Sequence, residues 1–295
     1  MTRFNDLAVM RYATEPTPGL VPDISRNLLL GALPEVERRQ MTVSLELVSV
    51  RAGQILTGAG LSGVYAYFPV DCVISLVYTT QDGGTAEVAV IGNEGVAGFG
   101  VFIGGSPDSS AAVVRCPGPA YRIKLGLLKD YFDRSAPVRE LLLRYMQALL
   151  AQSSQVALCN RHHTVEQQLC RWLLAAADRL RLRELSITQE AIAGALGVRR
   201  AGITEAACRL QHDGLIQYRR GKVELLDRGG LERRACECYS ALKKDLLRLL
   251  PAQQGTAAGK CVPLHAARPV PGHGHTVVPL HVAAVAPDSP ATLGP

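Results

Sequence analysis

Ile187-Thr188-Gln189-Glu190-Ala191-Ile192-Ala193-Gly194-Ala195-Leu196-Gly197-Val198-Arg199-Arg200-Ala201-Gly202-Ile203-Thr204-Glu205-Ala206-Ala207-Cys208-Arg209-Leu210 is the stretch whose reading decides the fold. Thr188 can accept from the free amides of a helix start, and Gln189 and Glu190 fill the first turn. Ala191, Ile192, Ala195 and Leu196 then form one helical stripe. Gly197 stands where that helix must stop, since glycine tolerates the left-handed conformation of a helix end. A second helix follows, with Ile203, Ala206, Ala207 and Leu210 inward and Arg199, Arg200, Gly202 and Thr204 outward at its start. Small inward residues let the two helices cross closely. The pattern predicts a helix-turn-helix, in which the N-terminal residues of the second helix meet base edges; Arg199, Arg200 and Thr204 are the expected readers. An ordinary helical hairpin in a core is the competing reading.

The residues that follow weaken that competitor. Leu215-Ile216-Gln217-Tyr218 and Val223-Glu224-Leu225 read as two short strands joined by Arg219-Arg220-Gly221-Lys222, a hairpin with three cations at its tip. Beside a two-helix reader such a tip is a wing, placed against phosphates. Taken alone, the same cations would read as a solvated turn.

At 295 residues the chain has room for two domains and a tail. No run approaches the roughly 18 apolar residues that span a bilayer, so no membrane partner is expected. Met1 to Asp23 lack the charged-then-apolar secretory pattern, which points to the cytoplasm. The formal charge of +6 is unevenly spread: residues 161–228 hold twelve Lys and Arg against eight Asp and Glu, and residues 1–136 hold eleven against thirteen. The cationic excess falls on the proposed reader, as attraction to a phosphate backbone requires. The eight cysteines, at 72, 116, 159, 170, 208, 236, 238 and 261, show no repeated pair at zinc-like spacing. Cys236 and Cys238 alone make a poor chelating pair, and small buried hydrophobes are the expected role of most of these thiols. No metal site is read from them. No nucleophile elbow, HExxH, P-loop or paired-carboxylate cleft is present, so no enzyme is expected.

Upstream, residues 1–24 read as a loose, Pro-containing arm. Ser25 to Leu33 and Pro34 to Met41 look like short helices. From Leu45 to Lys124, short apolar runs separated by Gly and Asp-Gly turns at roughly ten-residue intervals predict a β-sandwich or barrel. Val138, Leu142, Tyr145, Leu149, Gln152 and Val156 are spaced alternately by four and three, a coiled-coil seam that suits a homodimer, although packing against the β-domain suits the same stripe. Thr164 and Gln167 form a capping-box pattern for the next helix. Its lone tryptophan, Trp172, reads as a core anchor of the C-terminal domain. Leu231 to Leu250 reads as one last helix. From Pro251 the chain is rich in Gly, Pro, Ala and His, which reads as a disordered tail; weak metal binding by His265, His273, His275 and His281 is the competing reading, and a tail without a role is the favoured one.

In this order, an α+β chain of antiparallel β-roll, long helix and C-terminal winged helix-turn-helix resembles the Crp/Fnr family of bacterial transcription regulators, across roughly residues 25–240. The strongest match is Ile187 to Ala193 through Gly197 and on to Val198-Arg199-Arg200. The resemblance implies a cyclic-nucleotide-binding-like jelly roll at 25–135, a dimerisation helix at 136–160 and a winged helix at 161–250. It implies duplex DNA, a second copy of the chain and RNA polymerase as partners. Arg200 occupies the place of the family's guanine-reading arginine. Where the family often has a glutamate next and a second arginine a turn later, this chain has Ala201 and Glu205. The target sequence is therefore expected to differ, with Glu205 accepting from cytosine or facing solvent. The expected DNA-binding set is Thr188, Gln189, Arg199, Arg200, Thr204, Glu205, Arg219, Arg220 and Lys222.

Gly92-Asn93-Glu94-Gly95-Val96-Ala97-Gly98-Phe99-Gly100 resembles the family's phosphate-binding region, which makes Gly98, Phe99, Gly100, Ser109 and Ser110 the candidate effector pocket. Cyclic-nucleotide binders place a glutamate on the ribose and an arginine on the phosphate; this chain has Gly98-Phe99 and Asp108-Ser109-Ser110-Ala111 there. Without that cation a buried phosphate lacks its main compensation, and cAMP is not expected. Iron–sulfur members carry an N-terminal cysteine cluster, whereas the first cysteine here is Cys72, so that cofactor is not expected either. A module that senses a small molecule and whose winged helix contacts protein is the alternative function.

Overall fold

The computed structural model describes residues 23–58, 64–81, 85–98, 110–180 and 183–249. The arm read at 1–24, apart from its last two residues, and the tail read at 251–295 lie outside these residues, as do Phe99, Gly100 and Ser109.

After a 3-10 turn at Ile24–Arg26 come two short helices, α1 (Leu28–Gly31) and α2 (Glu35–Thr42). Seven strands follow: β1 (Glu46–Val50), β2 (Ile55–Thr57), β3 (Tyr65–Pro69), β4 (Val73–Thr79), β5 (Thr85–Ile91), β6 (Ala111–Cys116) and β7 (Gly118–Lys124). They form two antiparallel sheets, ordered β1-β7-β3 and β2-β6-β4-β5. Val50, Tyr67 and Ala120 of the first sheet pack on Leu56, Ile74, Ile91, Ala112 and Val114 of the second, the apolar interior expected of a β-roll. β6 sits between β2 and β4 and is buried along its whole length, polar Arg115 included.

α3 (Leu125–Arg134) leads into the long α4 (Ala136–His162). Ser135 caps α4 by accepting from the Val138 amide, and Pro137 lies in the first turn, where no backbone donor is needed. Val138, Leu142 and Tyr145 are buried in the cluster that α3 and α4 share with the β1-β7-β3 sheet. Tyr145 Oη donates to the Val96 carbonyl oxygen at 3.1 Å. Gln152 Nε2 donates to the Val90 carbonyl oxygen at 3.3 Å. The α4 stripe thus packs against the β-domain of the same chain, and the exposed leucines of α4 are Leu143, Leu150 and Leu158 on the other side.

The C-terminal unit comprises α5 (Val165–Leu180), β8 (Glu184–Ser186), α6 (Gln189–Leu196), α7 (Arg200–His212), β9 (Ile216–Arg219), β10 (Lys222–Leu225), α8 (Arg228–Arg234) and α9 (Glu237–Leu249). The capping box at α5 is formed in both directions: Thr164 N–H donates to Gln167 Oε1 at 3.0 Å, and Gln167 N–H to Thr164 Oγ1 at 3.3 Å. The single last helix expected over Leu231 to Leu250 is two helices. Ala235 is extended (φ −67°, ψ 152°), and the chain breaks there with neither proline nor glycine to announce it. The break turns Cys236 and Cys238 inward, where both are buried.

Trp172 is a core anchor as expected, with a further role. It packs in the C-terminal core, but that cluster includes Val73 and Cys116 of the β-roll, and its indole N–H donates to Glu87 Oε1 on β5 at 3.1 Å. It anchors the C-terminal core and also joins it to the β-roll.

Candidate nucleic-acid interface

The helix pair forms as its residue pattern dictates. Thr188 Oγ1 caps α6 by accepting from the Ala191 amide at 3.2 Å. Gly197 ends it in the left-handed conformation (φ 66°, ψ 31°), and its N–H donates to the Ala193 carbonyl oxygen. Ala191, Ala195, Ala206 and Ala207 are buried, and Ile203 and Leu210 are fully so, which fixes α7 against α6 and α5. Among the residues left outside at the start of α7 are the three expected readers, Arg199, Arg200 and Thr204.

These three are not equally free. Thr204 Oγ1 donates to Gln189 Oε1 at 2.7 Å, a bond that ties α7 to the first turn of α6. Arg200 Nε lies 3.8 Å from Glu190 Oε2, with both side chains 67% exposed. So open a pair contributes little and leaves the guanidinium able to reach a partner. Glu205 is exposed but engaged: Arg209 Nη1 lies 2.6 Å from its Oε1. Arg209 Nε in turn donates to Glu166 Oε2 at 2.7 Å, and Arg234 Nη1 donates to Glu166 Oε1 at the same distance. Burial disfavours the Glu166 carboxylate, but the bonds from Arg209 and Arg234 outweigh that and hold its pKa below the ordinary value. Glu166 is therefore the anion that pins α5 to α7 and α8.

β8, β10 and β9 form the wing sheet. Its hairpin turns through Arg220 (φ 46°) and Gly221 (φ 78°), two consecutive left-handed residues as a two-residue primed turn requires. Arg219, Arg220 and Lys222 are all exposed at this tip. Lys222 Nζ lies 2.7 Å from Glu184 Oε1 on the adjacent strand. Tyr218 N–H donates to Gln211 Oε1 at 2.9 Å and its hydroxyl donates to the Ile187 carbonyl oxygen, so the wing is locked to α7 and to the segment leading into α6. Burial pushes the Tyr218 phenol up to about 12, which keeps it a donor.

Of the candidate effector residues, Gly98 has φ 84°, and a Cβ there would stand 2.8 Å from the Tyr65 carbonyl oxygen. Ser110 is half-buried at the entrance of β6. A different polar cluster lies between the domains. Ser75 donates to Glu87, Arg115 Nε donates to Ser75 Oγ at 3.0 Å, and Arg179 Nε donates to Glu94 Oε1 at 2.7 Å. These groups, with Asn160, Arg171 and Trp172, line a cavity of about 260 Å³.

Sequence spacing missed a second cluster. Cys159, His163, Cys236 and Cys238 bring their ligand atoms within 4.8 Å of one another, an arrangement that could hold a metal. Cys159 and His163 stand four apart at the end of α4, so they share a face; that was the available signal. Their partners arrive from some 75 residues away. Hydrogen bonding with Cys236, aided by the nearby Arg171 guanidinium, lowers the Cys159 thiol pKa against the opposing effect of burial.

Residues 167–234 match the model of the Crp-like helix-turn-helix domain. No curated protein matches the chain in sequence. The fold is shared with solved regulators. A protein of Eubacterium rectale assigned to the Crp/Fnr family of transcriptional regulators is 18% identical, with a TM-score of 0.58 over 70% of this chain and 96% of that one. FixK2 of Bradyrhizobium japonicum is 17% identical, with a TM-score of 0.57 over 65% of this chain and 98% of its own. The c-di-GMP responsive global regulator CLP of Xanthomonas campestris is 16% identical, with a TM-score of 0.55 over 66% of this chain and 100% of its own. Among the described residues no helix is long and apolar enough to cross a membrane. Residues 167–234 thus form a Crp-like helix-turn-helix, set in a fold that these regulators share.

Proposed function

We propose that the protein is a cytoplasmic homodimer that places two copies of α7 in successive major grooves, one helical turn apart, and controls transcription in contact with RNA polymerase. The observation that carries this reading is the exposure of Arg199, Arg200 and Thr204 at the N-terminus of α7, beside the exposed cations Arg219, Arg220 and Lys222 of the wing. The helix residues would read base edges, and the wing, with Thr188 and Gln189 at the start of α6, would hold the backbone. Glu205, already paired with Arg209, would orient that arginine. Residues 25–135 would be the sensor, 136–160 the dimerisation helix and 161–250 the reader.

The dimer would form on the uncovered side of α4. Leu143, Leu150 and Leu158 are 47%, 62% and 47% exposed there, and leucines seven and eight apart suit a helix pair. The effector would be a molecule other than cAMP, because the sequence has Gly98-Phe99 in place of the ribose glutamate and Asp108-Ser109-Ser110-Ala111 in place of the phosphate arginine. The cavity between the β-roll and α5 touches both domains, so a ligand there would couple sensing to reading.

Selection of bound fragments from random genomic DNA, followed by footprinting, tests the proposal. Recovery of a two-fold symmetric site, with binding that persists against competitor DNA, is the expected result. Purified protein that selects no sequence at low salt, with and without cell extract, would reject it in favour of a protein-contacting winged helix.

A further inference from the structure

We propose that Cys159, His163, Cys236 and Cys238 bind one zinc ion that fastens the end of α4 to the break between α8 and α9. A tetrahedral zinc with Zn–S of about 2.3 Å and Zn–N of about 2.0 Å requires S···S edges of about 3.8 Å and S···N edges of about 3.5 Å. Cys159 Sγ and Cys236 Sγ are 3.6 Å apart, and Cys238 Sγ and His163 Nδ1 are 3.4 Å apart. Two opposite edges of the tetrahedron are thus at metal-binding length, and all four atoms lie within 4.8 Å of one another. Three thiolates and an imidazole in that geometry select zinc over harder cations.

The surroundings fit the same ion. His163 turns Nδ1 toward the sulfurs, while its Nε2 lies 3.2 Å from Glu237 Oε1. A carboxylate on the far nitrogen is how metal-bound histidines are held in the correct tautomer. Gln155 Nε2 donates to Cys238 Sγ at 2.9 Å, a bond that a thiolate accepts well. Zinc with three thiolates and one neutral imidazole carries one net negative charge. Arg171, only 5% exposed and beside Cys159, supplies the positive charge, and its Nε has no hydrogen-bond partner. A buried guanidinium is costly unless an anion faces it.

The ligands come from the C-terminal turn of α4, the α4–α5 junction and the α8–α9 break. The ion would therefore set how the reader leaves the long helix. This inference stands on the cluster alone and does not depend on which DNA the protein reads.

The test is metal analysis of the full chain purified without chelator, then cobalt substitution. One zinc per chain is expected, and cobalt should give the intense visible bands of a tetrahedral site with thiolate-to-metal charge transfer. Cys236→Ser should lose that equivalent and its spectrum, whereas Cys208→Ser and Cys261→Ser should keep both. The two controls separate this cluster from Cys208 and Cys261. Glu237→Gln changes a mostly exposed side chain and should fold normally while weakening zinc about 10-fold. A chain with no bound metal and no cobalt spectrum overturns the proposal. So do a Cys159–Cys236 disulfide in the protein as isolated, iron in place of zinc, or a site that survives Cys236→Ser.

Discussion

Trp172 on α5 donates its indole N–H to Glu87 Oε1 on β5 across 3.1 Å. The bond crosses from the reader to the β-roll, and the same carboxylate accepts from Ser75 and lies 3.7 Å from Arg115 Nε. A buried acid shared among three elements makes the relative placement of the two domains a stability term. Replacing Trp172 by Phe removes the donor and keeps most of the apolar surface. We expect a loss of about 1–3 kcal/mol, the cost of a buried acceptor losing one partner. Urea unfolding measures it, and Trp172→Phe combined with Glu87→Gln should cost less than the sum of the two. Strict additivity would deny the coupling.

Arg200→Ala should weaken the cognate site by about 1–3 kcal/mol and relax the preference at one base position. Lys222→Ala should instead weaken all sequences alike and lower the salt slope by about one. Titrations of selected and scrambled duplexes at several salt concentrations separate the two effects. Unchanged base preference in Arg200→Ala would take the reading role from that residue.

Acid should loosen the reader through Glu166. Its pKa is lower in the folded chain than in the unfolded one, so the unfolded state binds the proton more readily. The stabilisation it gives is complete above the ordinary carboxylate range and is lost as pH falls through the folded value. Glu166→Gln should be less stable than the parent at neutral pH, and the gap between their urea midpoints should close on acidification. A gap that stays constant with pH would show that Arg209 and Arg234 do not act through its charge.

If the chain dimerises through the uncovered side of α4 as proposed, Leu150→Glu should yield monomers with little change in the stability of the β-roll, because Leu150 is 62% exposed in the single chain. Leu142→Ala, at a residue 3% exposed, should cost about 2–5 kcal/mol of folding stability through the cavity it leaves. Sedimentation and urea unfolding of both variants check the assignment of the two faces of α4. If Leu150→Glu sediments as the parent does, α4 is not the dimer contact.

Much of this architecture is written in local pattern. The caps at Thr188 and Thr164, the stop at Gly197 and the Arg220-Gly221 turn each act over a few residues, and the structure has them where the spacing puts them. The α4 stripe shows where such reading stops. Periodicity says that Val138, Leu142 and Tyr145 share a face; it does not say what covers that face, and here the β-roll does.

From its order of residues alone the chain determined its helix-turn-helix, its wing and the run of strands before them, since caps, turns and apolar periods are short-range forces between neighbours. Three matters waited for tertiary structure: the partner of Trp172, the covered side of α4, and the meeting of Cys159 and His163 with Cys236 and Cys238. Each joins groups far apart in the chain, and only the packing of whole elements brings such groups within bonding distance.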